Sequence, residues 1–136
     1  MIELTIQTQS RTQFVDITAR VADAVKKMGL ASGAVLVFVP HTTAGVTINE
    51  NADPDVTADM EAALERMVPW RAAYRHGEGN SAAHVKASMM GSSVLVPVEN
   101  GRLCLGTWQA LYFCEFDGPR ARRARVSSDK AVVSDR

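Results

Sequence analysis

The sequence predicts an α+β protein: a mainly antiparallel, β-sandwich-like single domain with two or three helices. Two observations carry that reading. Many short apolar or alternating runs are bounded by turn residues, as strands are. Helical periodicity falls among them irregularly, without the strand–helix alternation of a doubly wound parallel sheet. A length of 136 residues suits one domain, and a chain of that size hides roughly two-thirds of its unfolded surface.

The elements follow in order. Ile2, Leu4 and Ile6 alternate with Glu3, Thr5 and Gln7 in a half-buried strand. Residues 13–17 form a second, leading into a helix over 18–28 with Val21, Val25 and Met28 on one face and Gly29 placed to end it. GAVLVFVP is a continuous apolar run, the pattern of a strand buried on both faces, and VTINE is strand-like again. In NADPDV, Asp53 is positioned to cap and Pro54 to open a helix that runs to about Val68, with Val56, Met60, Leu64 and Met67 as its apolar stripe. A short helix is expected over 81–90, stopped by Gly91. SSVLVPVE, a turn at ENGR, LCLG and WQALYFCEFD then give the C-terminal strands. The domain spans 1–126, and SSDKAVVSDR, 127–136, reads as a frayed tail.

Composition removes several classes of function. Fifteen basic residues balance fifteen acidic ones, which argues against nucleic acid or an anionic membrane as the main partner. The N-terminus MIELTIQTQS lacks the basic-then-apolar order of a signal peptide, and the apolar run 34–40 is far short of the ~20 residues of a membrane helix. The expectation is a soluble, cytoplasmic protein. Cys104 and Cys114 lie in apolar stretches and are expected as buried thiols rather than a disulfide framework.

Candidate chemistry concentrates in YRHGEGNSAAHVKAS, which holds His76 and His84, and in HTTAG, which opens with His41 at the end of the apolar strand. Taken alone, His41 reads more readily as a histidine bonded to its own turn. Three imidazoles at loop or helix-start positions suit zinc, nickel or iron and leave a coordination position open, although their spacing matches no standard metal motif. The glycines around Glu78 allow close backbone approach to a ligand, and Asn80 or Ser81 is placed to cap the helix bearing His84. NENADPD imitates a calcium loop but fails it, with Val56 where glycine is required and Ala62 where glutamate is. Asn49, Glu50, Asp53 and Asp55 remain as a cluster that caps the next helix, the favoured role of Asp53, or coordinates a metal or substrate hydroxyl. Alternation puts Gln109 and Glu115 on a face with Leu111 and Phe113, so Glu115 requires a partner: an arginine, a metal-bound water or a neighbouring subunit. Arg120, Arg122, Arg123 and Arg125 read as a charged edge strand in preference to a phosphate contact.

The blocks PHTTAGVTINENADPDV, YRHGEGNSAAHVKASMMGSS and PVENGRLCLGTWQALYFCEFDGPR resemble the YjbQ family, described as secondary thiamine-phosphate synthase. The resemblance runs from about Ile2 to Val126. It implies a β-sandwich-like subunit, a homotrimer, a divalent metal site and a weak thiamine-phosphate synthase activity. In that reaction the nitrogen of a thiazole phosphate displaces diphosphate from hydroxymethylpyrimidine diphosphate. On these residues the metal, zinc or a similar ion in preference to oxygen-seeking magnesium, is assigned to His41, His76 and His84. Thr42, Thr43, Gly79, Asn80, Ser81, Lys86 and Gln109 are assigned to a phosphorylated or otherwise anionic small molecule. Asn49, Glu50, Asp53 and Glu115 are assigned to orienting the pyrimidine amine or the developing cation. The rivals are a metal-dependent hydrolase of a phosphorylated molecule and a non-catalytic trimeric binding module.

Overall fold

The computed structural model describes residues 1–130; the rest of the expected tail lies outside the described residues. In chain order the elements are β1 (Ile2–Gln7), β2 (Gln13–Asp16), α1 (Thr18–Met28), β3 (Gly33–Phe38), β4 (Ala44–Glu50), α2 (Pro54–Met67), α3 (Ser81–Met90), β5 (Ser93–Glu99), β6 (Arg102–Leu103), β7 (Gln109–Glu115) and β8 (Ala121–Ser128). Two antiparallel sheets result, one in the order β1-β8-β3-β5-β6 and a smaller one in the order β2-β7-β4. The α+β expectation holds.

Period-two alternation builds the main core. Ile6, Val35, Val37, Val96, Val98 and Val126 from the larger sheet meet Val46, Leu111 and Phe113 from the smaller, and α1 adds Val21 and Val25. Burying each such side chain contributes about 1.5–3 kcal/mol. The opposite face of β7 carries Ala110, Tyr112 and Cys114, which pack with Phe116 against Ala83 and Ala87 of α3 and Leu64 of α2. The smaller sheet is therefore covered on both sides, and this fixes α3 over β4.

Helix boundaries follow local chemistry. Gly29 ends α1 in the left-handed conformation (φ 65°), and Asp53 caps α2 by accepting the Asp55 N–H at 2.9 Å. Asn80 stands at the N-cap of α3 without a side-chain cap bond; its amide nitrogen donates to Asp117 Oδ2 at 2.9 Å.

Several expectations are corrected. β3 is not buried on both faces: Phe38 is 38% exposed, and on the same face Leu95 of β5, opposite Leu36, is 62% exposed. β8 is not a charged edge. It lies between β1 and β3, and alternation turns Arg122 inward while Arg123 and Arg125 face out towards Glu3 of β1. It also runs to Ser128, two residues beyond the expected domain end, with Ser127 opposite Leu36. LCLG yields only the two-residue β6, and Cys104 is exposed, whereas Cys114 is buried with its thiol pushed up to about 12 by burial. Met67 falls at the end of α2 and is exposed, leaving Leu64 as that helix's buried residue.

Candidate functional site

α3 reaches β4 at Gly45, where the Val46 N–H donates to Gly91 O at 3.1 Å and a methyl group on Gly45 would stand only 2.6 Å from that carbonyl. This close approach hangs His84 beside the start of β4, directly after His41. A cavity of ≈ 450 Å³ opens between them, lined by His41, Thr42, Ala44, His84, Ser88 and Ser92 among others. His76 comes from the loop before α3, turned back by the Gly79 N–H bond to His76 O (3.2 Å). Its ring stands edge-on to His84, with centroids 5.4 Å apart and planes at 90°.

Beneath His41 lies a buried ion pair. Arg122 Nε donates to Glu115 Oε1 at 2.8 Å and its Nη2 to the other carboxylate oxygen and to Thr43 Oγ1 (2.8 Å). Thr8 Oγ1 adds a donor to Glu115 Oε1 at 2.8 Å, and the Asp117 N–H donates to Oε2 at 3.0 Å. Burial alone would raise the Glu115 carboxyl, but these donors, Arg122 foremost, hold it below the usual carboxylate value. The network continues through Asp117 to Asn80, and so to the start of the helix that carries His84.

His41 is held from a different direction. β3 ends at Phe38 opposite Arg125, so the outward N–H of Arg123, two residues along β8, has no strand partner. His41 Nε2 takes that place, accepting the Arg123 N–H at 3.0 Å. Burial, then the positive charge of Arg122, keep its imidazole below the ordinary 6.5, with Arg123 and Arg120 acting the same way and Glu115 opposing them. Each of these arginines is engaged by a carboxylate, Arg122 by Glu115, Arg120 by Asp117 and Arg123 by Glu3, so the charge beside the cavity is largely paired.

One spacing in this set matches a metal centre, and it equally matches an edge-to-face ring contact. Two imidazoles on one tetrahedral zinc have ring centroids about 5 Å apart, from Zn–N bonds of ~2.0–2.1 Å. The 5.4 Å of His76 and His84 meets that spacing. His41 does not fit as it stands, because a neutral imidazole has one lone-pair nitrogen and Arg123 engages it. Among the described residues, no group of three or more His, Cys, Asp or Glu side chains is arranged to hold an ion, so ligands beyond the pair would come from outside this set.

The remaining predicted residues divide between two ends of β4, which spans seven residues or about 20 Å at ~3.3 Å each. Ala44 pairs with Glu115 at one end and Glu50 with Gln109 at the other. Thr42, Thr43 and Glu115 join His41 at the first end, and Gly79, Asn80 and Ser81 join His76 and His84. Asn49, Glu50, Asp53 and Gln109 lie at the far end in local roles. Asn49 Oδ1 accepts the Glu50 N–H (2.7 Å), Glu50 O accepts the Tyr112 hydroxyl (3.1 Å), and Gln109 Oε1 accepts the Gly106 N–H (2.8 Å). Lys86 is buried, and its Nζ meets Glu65 of α2 at 2.8 Å rather than the cavity. Arg122 and Asp117 were not singled out as site residues. ARRARV nevertheless shows Arg122 in step with Ala124 and Val126, the signal of an inward arginine.

Fold and site define a class: a small two-sheet α+β domain with a histidine-lined cavity where a helix meets the smaller sheet. The chain belongs to the UPF0047 protein YjbQ-like family, whose sequence profile matches residues 2–130. It is 56% identical over 124 residues to the UPF0047 protein YugU of Bacillus subtilis, covering 90% of this chain and 94% of that one. A UPF0047 protein of Methanocaldococcus jannaschii is 43% identical over 127 residues, 92% of each. The crystal structure of a YjbQ/UPF0047 family protein from Clostridium acetobutylicum superposes with a TM-score of 0.92 at 54% identity, covering 94% of this chain and 99% of that one. No helix among the described residues is long and apolar enough to cross a membrane.

Proposed function

We propose that this protein is a metal-assisted enzyme acting on a phosphorylated small molecule, and that thiamine-phosphate formation is the reaction to test first. The observation that carries the proposal is the edge-on His76–His84 pair, 5.4 Å between centroids, beside a cavity that His84 lines together with His41 and the hydroxyls of Thr42, Ser88 and Ser92. His76 and His84 would hold the ion, zinc or similar, whose chemistry is to neutralise charge on phosphate oxygens.

The chain's own groups supply the rest. His41, neutral and bonded through Nε2, has its Nδ1 hydrogen left for a substrate oxygen. Thr42, Ser88 and Ser92 line the same cavity with hydroxyls. In the proposed reaction a thiazole nitrogen attacks the pyrimidinylmethyl carbon, the carbon–oxygen bond breaks, and diphosphate leaves with both electrons. The Nδ1 hydrogen of His41 and the hydroxyls of Thr42, Ser88 and Ser92 are the groups placed to stabilise the charge that gathers on that leaving group. Assembly as a homotrimer is part of the same reading, supported by the apolar outer face at Leu36, Phe38 and Leu95. Light scattering on Leu95→Lys should then give a smaller particle than wild type.

Elemental analysis of untagged wild type and of the His76→Ala/His84→Ala double variant tests the centre. About one transition metal per chain, lost in the variant, supports it; no metal after reconstitution with zinc removes it. Product analysis separates the reactions, since synthesis joins two rings and hydrolysis releases fragments.

A further inference from the structure

On the far side of His76 lies a second cavity, ≈ 430 Å³, lined by Trp70, Arg71, Ala72, Tyr74, His76 and Gly79. A smaller opening formed with Ser81 and Val85 joins His76 to His84, and His84 lines the cavity of His41. The two imidazoles therefore stand midway along one groove with dissimilar arms. The His41 arm is lined by hydroxyls; the other is aromatic and basic.

The aromatic arm is braced. Tyr74 donates its hydroxyl to Pro69 O at 2.6 Å and its N–H to Ala72 O at 2.8 Å, which closes the loop on itself. The Arg11 guanidinium lies 4.4 Å from the centre of the Trp70 ring. Glu65, on the helix that leads into this loop, is held by buried Lys86 at 2.8 Å. Such bracing at the surface pre-orders a wall, so a ligand need not order it on binding.

We propose that Trp70, Tyr74 and Arg71 form a binding subsite for a planar unsaturated ring, within a ligand whose anionic group lies at His76 and His84. The Arg11 guanidinium covers one indole face, so a ring stacks on the phenol and on the exposed part of the half-buried indole. Arg71 lines the cavity and Arg11 flanks the indole, so a neutral or anionic ring is accepted and a cationic one is repelled. This subsite rests on the reading of the histidine pair as an anion-handling centre, and it names the other half of that ligand.

The probes are phenyl phosphate (ring and anion), inorganic phosphate (anion alone) and benzyltrimethylammonium (cationic ring). Trp108→Phe leaves Trp70 as the single tryptophan of two. Phenyl phosphate should change its fluorescence and, by calorimetry, bind about tenfold more tightly than inorganic phosphate. Benzyltrimethylammonium should bind more weakly than either. Trp70→Ala should abolish the tenfold difference and leave phosphate affinity in place, while Trp70→Phe should restore most of it. Equal affinity for phenyl phosphate and inorganic phosphate, or a preference that survives Trp70→Ala, overturns the subsite. Zinc uptake on the same preparations keeps the two proposals apart: ring preference without metal removes only the metal centre, and metal without ring preference removes only the subsite.

Discussion

Glu115 and Arg122, seven residues apart in sequence, join the two sheets through a buried ion pair, the carboxylate on β7 of the smaller sheet and the guanidinium on β8 of the larger. Thr8 and Thr43 complete its hydrogen bonds. Removing one member leaves the other charged and unpaired in the core. Glu115→Gln or Arg122→Met should each cost about 3–5 kcal/mol in urea denaturation. The double variant Glu115→Gln/Arg122→Met should lose less than the sum of the two, because no orphaned charge remains.

The same pair gives the acid limb of stability a definite sign. Glu115 is held below its ordinary 4.5, so its stabilising contribution is present above that value and is lost as pH falls through the lower folded value. Unfolding free energy measured from pH 6 down to pH 3 should fall more steeply for wild type than for Glu115→Gln.

His41 titrates in the opposite region. Its pKa in the fold lies below 6.5, so the unfolded chain binds the proton more readily and stability declines as pH falls through that interval. Protonation also places a hydrogen on Nε2, which then cannot accept from Arg123. A proton NMR titration should put the His41 midpoint below 6.5, with the Arg123 amide resonance shifting in step.

Gly45 sets how closely α3 approaches β4. Gly45→Ala forces the Gly91 carbonyl away and should cost about 1–3 kcal/mol, as overpacking does. Because the same helix carries His84, zinc uptake should weaken as well. Gly29→Ala is the control. It has open space around it but a left-handed backbone, so it should cost about 1–2 kcal/mol and leave zinc uptake unchanged.

Lys86 and Glu65 should respond asymmetrically. Lys86→Met replaces a buried charge by an apolar chain of similar length, and stability should change by less than about 1.5 kcal/mol. Glu65→Gln leaves the ammonium buried without its counter-charge and should cost more. Calorimetry with inorganic phosphate should show unchanged affinity in Lys86→Met, since Nζ faces α2.

Much of this was legible in the sequence. Strand alternation identified the two faces of β7 and the need of Glu115 for a partner, and Asp53, Pro54 and Gly29 marked helix ends through local rules. What escaped depended on the third dimension. Whether ARRARV lies at an edge is decided by β1 pairing with it from more than a hundred residues away. The same applies to Asn49 and Glu50, which sit close to His41 in sequence yet at the far end of a strand from it. Lys86, two positions past His84, points to α2 because a helix turns about 100° per residue.

The hold on His41 comes from the main chain of Arg123 and not from its guanidinium. Side-chain replacement at that position would therefore leave the interaction intact, and an alanine substitution would report the lost charge and the lost contact with Glu3 rather than this bond. Only a change to the peptide link itself, proline or an amide-to-ester exchange at 123, would expose how strongly the imidazole depends on it.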